Sequence, residues 1–368
     1  MEQAATATMA TTGGPGRRLL QQFHAHAPFL IFGLGMLAAS EAVKVMLGGT
    51  AATDPAGRLL GFALFSMVLI PGLLPMLFFR IAVFDRANRP ARALLASFRP
   101  FLTSGGRLLP GLLAIASIYV FSTSFGYFKA VIPVFQPFSW DQTFDAWDTW
   151  LHFGYRPWEL LDPVLGYGPV TALININYNF WFITLIMYWL HFAFEERPGV
   201  LRTQAIISYM LTWLAGGVLL AMVFSSAGPC FYGKLGLGPD PYAGLMSYLQ
   251  TTSQTWPVWA VGLQDWLWTN YTSDAAADLT KGISAMPSMH NAQSALLVLA
   301  TWRKLPLIRN LAIAHGALVF LGSIHLGWHY AVDAYLAFAI AGIAWIGAGH
   351  LARAWESRRL TNPVASLP

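Results

Sequence analysis

The sequence predicts an all-α integral membrane protein with about eight transmembrane helices, and three observations lead to this fold class. Hydrophobic residues make up 56% of the 368 residues and charged residues only 11%, whereas soluble domains carry about 25% charge. The mean hydropathy is +0.51. Apolar runs of about 20 residues, long enough to cross a bilayer as helices, recur along the chain.

The apolar runs divide the chain into membrane spans and connecting segments. The first run is the least apolar, because it contains Glu41 and Lys44. We expect a flexible cytoplasmic tail over 1–27 and a basic cytoplasmic tail over 353–368. The expected spans are 28–48, 59–84, 111–134, 168–193, 203–224, 287–303, 307–325 and 331–352.

Basic residues set the expected orientation, because Lys and Arg concentrate in the short cytoplasmic loops of membrane proteins. Most of the 22 Lys and Arg residues fall in the two tails and in the loops 85–110, 194–202 and 303–309. This distribution puts both termini in the cytoplasm, and 135–167 and 225–286 on the periplasmic or luminal side. The net charge of +5 is spread over these loops, and because no nucleic-acid-binding motif is present we expect no nucleic-acid partner.

The two long segments on the outer side carry different patterns. Between 140 and 152, Asp141, Asp145 and Asp148 recur at helical spacing among aromatic residues. This pattern predicts a short helix on the outer surface with a solvated acidic face. The segment 225–286 is long for a connector, which indicates a lid or a part of the binding site.

Isolated polar residues add two constraints. Asn175, Asn177 and Asn179 are unusual in a membrane span, and they either bond across helices or line a lipid cavity. The single cysteine, Cys230, excludes an internal disulfide framework.

Two histidines and an aspartate near the C-terminal end are the candidate catalytic residues, since ionisable side chains at membrane helices are costly and mark functional sites. His329 and Asp333 are four residues apart, so on one helix face the carboxylate can fix the imidazole tautomer. The second imidazole nitrogen is then free to attack. His290 follows Pro287 and Ser288, a pair typical of a helix start, where free N–H groups can bind phosphate. His290 would then be the general acid.

The expected topology brings the three residues to one membrane face. His290 opens the sixth span at its outer end, and His329 and Asp333 lie at the outer start of the eighth. Because the orientation follows from Lys and Arg alone, this convergence independently supports an active site on the extracytoplasmic face.

The same residues resemble two motifs of the type-2 phosphatidic acid phosphatase superfamily. Pro287-Ser288-Met289-His290 resembles the second motif, and Ser323-x5-His329-x3-Asp333 resembles the third. Within the superfamily, the chain is most similar to the branch that contains fungal inositol phosphorylceramide synthase and its bacterial relatives. The additional grounds are Trp140-Asp141 and Gly228-Pro229, which begin the outer segments.

The resemblance covers roughly 111–352 and implies a six-helix catalytic core, preceded by two additional spans and a basic loop over 28–110. It implies that His329 forms a phosphohistidine, that Asp333 orients it and that His290 protonates the leaving oxygen. Ser288 and the backbone near it would hold the phosphate. The resemblance implies no metal and no other cofactor.

The chain departs from the family at the cations that bind phosphate. The first motif, Lys-x6-Arg-Pro, is present only as Lys129-x6-Gln136-Pro137, and the arginine that usually follows Ser323 is Ile324. Two arginines are therefore missing, which favours the transferase-like branch over a plain phosphatase. Lys129 and Lys281 are the expected phosphate-binding substitutes. The outer cations available in all are Lys129, Arg156, Lys234 and Lys281.

We expect His325 and Ser323 to support the site rather than to react. A zinc or iron site made of His290, His325, His329 and Asp333 is chemically conceivable. Each catalytic candidate has a role without metal, so we expect no metal.

The sequence leaves two classes of function open. The first is an enzyme that transfers a phosphoryl-bearing head group, with inositol phosphate as the example that the family implies, from a phospholipid donor to a lipid or polyol acceptor. If water is the acceptor, the enzyme is a phosphatase of phosphatidate or polyprenyl diphosphate. The second class is a proton-coupled transporter, which predicts paired repeats or broken helices. The sequence shows no such symmetry.

Overall fold

The computed structural model describes residues 15–48, 78, 81–82, 86–103, 108–195, 199–273 and 282–361. In these ranges all of the regular elements are helices. Six of them are long and apolar enough to cross a membrane, which makes the chain a multi-pass membrane protein. The expected span at 59–84 lies almost entirely outside the described residues, so a total of eight spans remains a prediction.

The helices are labelled in chain order. They are α1 (Pro15–Met46), α2 (Pro90–Thr103), α3 (Leu108–Phe135), α4 (Asp141–Leu151), α5 (Pro157–Leu165), α6 (Gly168–Ala193), α7 (Val200–Val223), α8 (Ala243–Ser253), α9 (Ala260–Thr272), α10 (Met289–Thr301), α11 (Pro306–His325) and α12 (Ala331–Thr361). Ala215–Leu220 is a π-helical stretch inside α7, and Pro229–Leu235 is a 3₁₀ helix. The helices that can cross a membrane are α1, α3, α6, α7, α11 and α12.

Both ends of the described chain are more helical than the sequence predicted. Helix α1 starts at Pro15, a first-turn position where the missing N–H of proline has no helical partner to lose. Its His26 is buried and bonded to Arg202 of α7. Residues 15–27 of the expected flexible tail are therefore helical and packed. Helix α12 continues to Thr361, so the expected C-terminal tail is helical at its start.

The sixth expected span is a helix of only 13 residues, α10. The residues before it are not helical, and the N–H groups of Ala285 and Met286 donate to Ser226. Irregular backbone at membrane depth is tolerated where protein surrounds it and satisfies its hydrogen bonds. Because α10 packs among α6, α7, α11 and α12, it does not need the length of a lipid-facing span.

Two glycines in the π-helical stretch of α7 let α10 approach closely. A Cβ atom on Gly216 would lie 2.6 Å from Cε of Met289, and one on Gly217 would lie 2.6 Å from the ring of Phe125. This packing fixes Met289, and with it the first turn of α10.

A cap covers the end of the bundle at which α10 and α12 begin; it consists of α4, α5, the 3₁₀ helix, α8 and α9. Asn175 of α6 donates to the carbonyl of Pro257 over 3.0 Å and accepts from the N–H of Ala260 over 3.2 Å. Gln264 of α9 donates to the carbonyl of Leu326 over 2.8 Å. These bonds attach the cap to α6 and to the end of α11.

The other asparagines of α6 bond within the bundle. Asn177 Oδ1 lies 2.9 Å from Nδ1 of His315 on α11, and Asn179 donates to the backbone of Asn175. Of the two alternatives left by the sequence, the structure shows bonding between elements for Asn175 and Asn177.

Candidate active site

The structure brings His290, His329 and Asp333 together beneath the cap. The ring centroids of the two histidines are 6.1 Å apart. Nδ1 of His329 lies 3.1 Å from Oδ2 of Asp333, and both residues are buried. The carboxylate thus holds one imidazole nitrogen, as expected from the spacing.

The pairing arises at a helix start rather than along a helix face. Helix α11 ends in a turn at Gly327, whose φ of +73° suits glycine, and α12 begins only after His329 and Tyr330. Asp333, in the first turn of α12, reaches back to His329 and also accepts from the N–H of Tyr330 over 3.1 Å. The N–H of His329 donates to the carbonyl of Ser323 over 2.9 Å. The backbone on both sides of the imidazole is therefore held.

Ser288 begins α10 and links it to the third motif. Its hydroxyl accepts from the backbone and the side chain of Asn291, and its N–H donates to the carbonyl of Asp333 over 3.2 Å. Asn291 also donates to the hydroxyl of Ser323 over 3.1 Å. Sequence reasoning missed Asn291, although a polar residue three positions after a serine N-cap is a capping signal.

Aromatic rings of α6 hold His290. The ring of Tyr178 stacks on it at 4.7 Å between centroids, and the ring of Trp181 lies at 4.1 Å. The indole N–H of Trp181 donates to the carbonyl of His290 over 3.0 Å. Nothing in the sequence pattern of α6 distinguished these two rings from ordinary core aromatics.

Several buried polar atoms at this site have no hydrogen-bond partner in the described part of the chain. They are Nε2 of His290, Oδ1 of Asp333, Oδ1 of Asn291 and the hydroxyl of Tyr178. Buried polar groups are nearly always paired, so a cluster of orphaned ones indicates a place for a polar ligand or water.

Charge and burial keep His329 neutral. Burial lowers the pKa of His329, and the positive charge of Lys129 lowers it further, against an opposing hydrogen bond with the backbone of Ala285. A neutral imidazole carries the lone pair that a nucleophile needs. Lys129 of α3 also acts electrostatically on His290, so its charge reaches both histidines.

The other cations considered from the sequence lie elsewhere. Arg156 pairs with Asp145 over 2.7 Å, and Lys234 pairs with Asp265 over 3.1 Å. Lys281 lies outside the described residues. Lys129 is thus the substitute for the missing arginines that the geometry supports.

His325 bonds towards the cap instead of towards His329. Its Nε2 lies 2.9 Å from Oγ1 of Thr171, which in turn bonds the hydroxyl of Tyr248 on α8. Among the described residues there is no group of three or more His, Cys, Asp or Glu side chains placed to hold a metal ion.

The acidic face of α4 is buried, so the predicted solvated face is wrong. Asp141 is 0% exposed and Asp148 is 2% exposed. The aromatic residues are turned outwards instead, with Trp150 78% exposed, a placement suited to the membrane interface. The periodicity was correct, but sequence alone could not tell which face the backbone N–H groups of the site would attract.

A comparison with known families matches this region of the chain. The model of a family described as the PAP2 superfamily matches residues 142–351. No curated protein and no solved structure matches the chain.

Proposed function

The chain belongs to the PAP2 superfamily, and we propose that it transfers a phosphoryl-bearing head group, such as inositol phosphate, from a phospholipid to a lipid alcohol. The observation that carries the proposal is the convergence of His290, His329 and Asp333. The orphaned polar atoms and the charge of Lys129 at the same place suit a phosphoryl group.

In the first step, the free nitrogen of His329 attacks the phosphorus atom of the donor lipid. An N–P bond forms, and the P–O bond to the lipid alcohol breaks. His290 gives a proton to the departing oxygen, which leaves as a neutral alcohol. Asp333 stabilises the positive charge that develops on the ring of His329.

In the second step, the hydroxyl of the acceptor attacks the phosphohistidine. His290, now neutral, takes the proton of that hydroxyl, and the N–P bond to His329 breaks. The same two steps with water as acceptor describe a phosphatase of phosphatidate or polyprenyl diphosphate. The two activities differ only in the acceptor.

Two features favour an alcohol over water as acceptor. The chain lacks the two arginines of the phosphatase motifs, at Gln136 and Ile324. The cap also covers the site, with His329 only 7% exposed, and a site that excludes water protects a reactive intermediate from hydrolysis. A proton-coupled transporter is the alternative of another class, and it would make no bond to phosphorus.

The test uses purified protein with a donor phospholipid labelled at phosphorus. We expect an acid-labile label on the protein and, when a lipid alcohol is added, a labelled product lipid. His329→Ala should lower turnover by roughly 10³ or more, because it removes the nucleophile.

The products separate the alternatives. Release of free phosphate without any need for a second alcohol identifies a phosphatase. A folded His329→Ala variant that keeps a tenth of the wild-type turnover overturns the phosphohistidine. Solute uptake into vesicles without phosphoryl chemistry identifies a transporter.

A further inference from the structure

Helix α4 lies against the backbone that carries His329. It faces this backbone with two buried carboxylates, Asp141 and Asp148, which stand seven positions apart and so share one face of the helix. Neither carboxylate forms an ion pair with a cation in the described ranges. Their partners are instead backbone N–H groups and one phenol.

Asp148 holds the residues that follow His329. Its Oδ2 accepts from the N–H of Ala331 over 2.7 Å, and its Oδ1 accepts from the N–H of Val332 over 2.9 Å. These are the first two N–H groups of α12, which have no partner inside the helix. A carboxylate supplied by another helix thus caps the helix whose first turn contains Asp333.

Asp141 holds the residues around His329 from the other side. Its Oδ1 accepts from the hydroxyl of Tyr330 over 2.9 Å and from the N–H of Gly228 over 2.8 Å. Gly228 has a φ of +103°, and a Cβ there would lie 2.8 Å from the carbonyl oxygen of Trp328. Asp141 therefore braces Tyr330 directly and Trp328 through the 228 loop.

We propose that Asp141 and Asp148 are positioning residues, which fix the backbone on both sides of His329 so that its imidazole is aimed at the phosphorus atom. The proposal rests on the proposed function of His329. Neither carboxylate touches the reacting atoms.

The chemistry explains why carboxylates occupy these two positions. The start of α12 carries partial positive charge, and a carboxylate can accept from two N–H groups at once, one on each oxygen. Burial raises the pKa of Asp148 to about 7, and the N–H groups of Ala331 and Val332 oppose that increase. A residue that only stabilised the fold could be apolar here; one that fixes two N–H groups cannot.

The first test is Asp148→Asn, measured by steady-state kinetics and by hydrogen exchange. Asparagine presents an NH₂ group to one of the two N–H donors, so one bond is lost. We expect kcat to fall about 10- to 100-fold with KM changed less than about threefold, because a small displacement of a reacting group is costly. We also expect faster exchange at 329–333.

The matched control is Asp145→Asn on the same helix. Asp145 makes comparable bonds, to Arg156 and to the hydroxyl of Tyr242, but it does not contact the His329 backbone. We expect kcat within about twofold of wild type and unchanged exchange at 329–333. Equal losses in both variants would mean that α4 acts only through the stability of the fold, and would overturn the proposal.

Two further variants remove single bonds without changing α4. Ala331→Pro deletes one N–H donor at a first helical position, where proline is tolerated, and Tyr330→Phe deletes the hydroxyl that donates to Asp141. Each should lower kcat, and Ala331→Pro should be non-additive with Asp148→Asn. Additive effects would overturn the link between Asp148 and Ala331.

The exchange measurement separates this proposal from the proposed function. If the wild type shows no phosphoryl transfer, the proposed function fails and the catalytic part of this inference fails with it. Slow exchange at 329–333 that depends on Asp148 and not on Asp145 would still establish the brace. Unchanged exchange in Asp148→Asn would overturn the brace even if the enzyme is active.

Discussion

At the scale of single residues, the charge at the candidate site depends on Lys129. A cation in a membrane helix is costly and persists where it serves a function. Lys129 makes no hydrogen bond or ion pair with another residue in the described ranges, whereas its charge reaches both His290 and His329. It is therefore available to a phosphoryl oxygen.

Lys129→Met should weaken the binding of phosphate analogues. The change keeps the length and apolar character of the side chain and removes the charge, so the inhibition constant of vanadate should rise at least about tenfold. Lys44→Met on the neighbouring α1 is the control, because Lys44 pairs with Glu41. Similar inhibition constants in both variants would exclude Lys129 from the phosphate site.

The same variant should change the pH dependence in a defined direction. The charge of Lys129 lowers the pKa of His329, so its removal raises that pKa. Because only the neutral imidazole attacks, activity is lost below this pKa, and the acid limb of the pH–rate profile should move to higher pH. A limb that stays in place, or moves to lower pH, would show that His329 does not sense Lys129.

His290→Ala should slow the reaction most for poor leaving groups. A general acid matters when the departing alkoxide is basic and matters little for an activated aryl phosphate ester. We expect a larger loss of kcat with a natural lipid than with the aryl ester, and no loss with either in the exposed control His350→Ala. Equal losses for both substrates would remove His290 from this role.

Residue types and spacing predicted part of this site. His290, His329, Asp333 and Ser288 could be found because each stands in a short pattern with a chemical meaning. Asn291 and Tyr178 could not, because their roles depend on which helices are neighbours. The pairing of His329 with Asp333 was predicted, but on a helix face; the Gly327 turn moves it to a helix start.

At the scale of elements, hydrogen bonds from α6 decide how the cap is held. Asn175 is 0% exposed and satisfies both the carbonyl of Pro257 and the N–H of Ala260. Asparagine in a span costs little when both ends of its amide are paired. This bond pair fixes the start of α9 over the bundle.

Asn175→Leu should loosen the cap while leaving the bundle intact. Leucine leaves the carbonyl of Pro257 and the N–H of Ala260 without partners, at a cost of roughly 1–3 kcal/mol for each group. We expect faster hydrogen exchange at 257–264 and unchanged exchange in α12. Asn179→Leu, which removes a bond only within α6, should leave 257–264 as in the wild type; faster exchange there in both variants would contradict the assignment.

The sequence predicted the elements better than their environments. Long apolar runs gave α3, α6, α7, α11 and α12 close to their observed limits, because length and apolar content are enough to identify a span. The short α10 and the inward acidic face of α4 could not be predicted in the same way. Both depend on partners far away in the sequence.

At the scale of the whole molecule, orientation connects the site with its substrate. The cap, the start of α10 and the start of α12 lie at one end of the bundle. The exposed basic residues Arg303 and Lys304 lie at the other end of α10. If the basic end is cytoplasmic, the candidate site opens towards the extracytoplasmic leaflet.

A single cysteine in the cap tests this orientation. Thr272 lies exposed at the end of α9, and native Cys230, which is buried, would be replaced by serine to remove background. Thr272→Cys should react with a membrane-impermeant thiol reagent outside intact cells, or inside the lumen of an organelle. Lys304→Cys should react only once the cytoplasm is accessible. The reverse labelling would invert the topology, and the donor lipid would then have to come from the cytoplasmic leaflet.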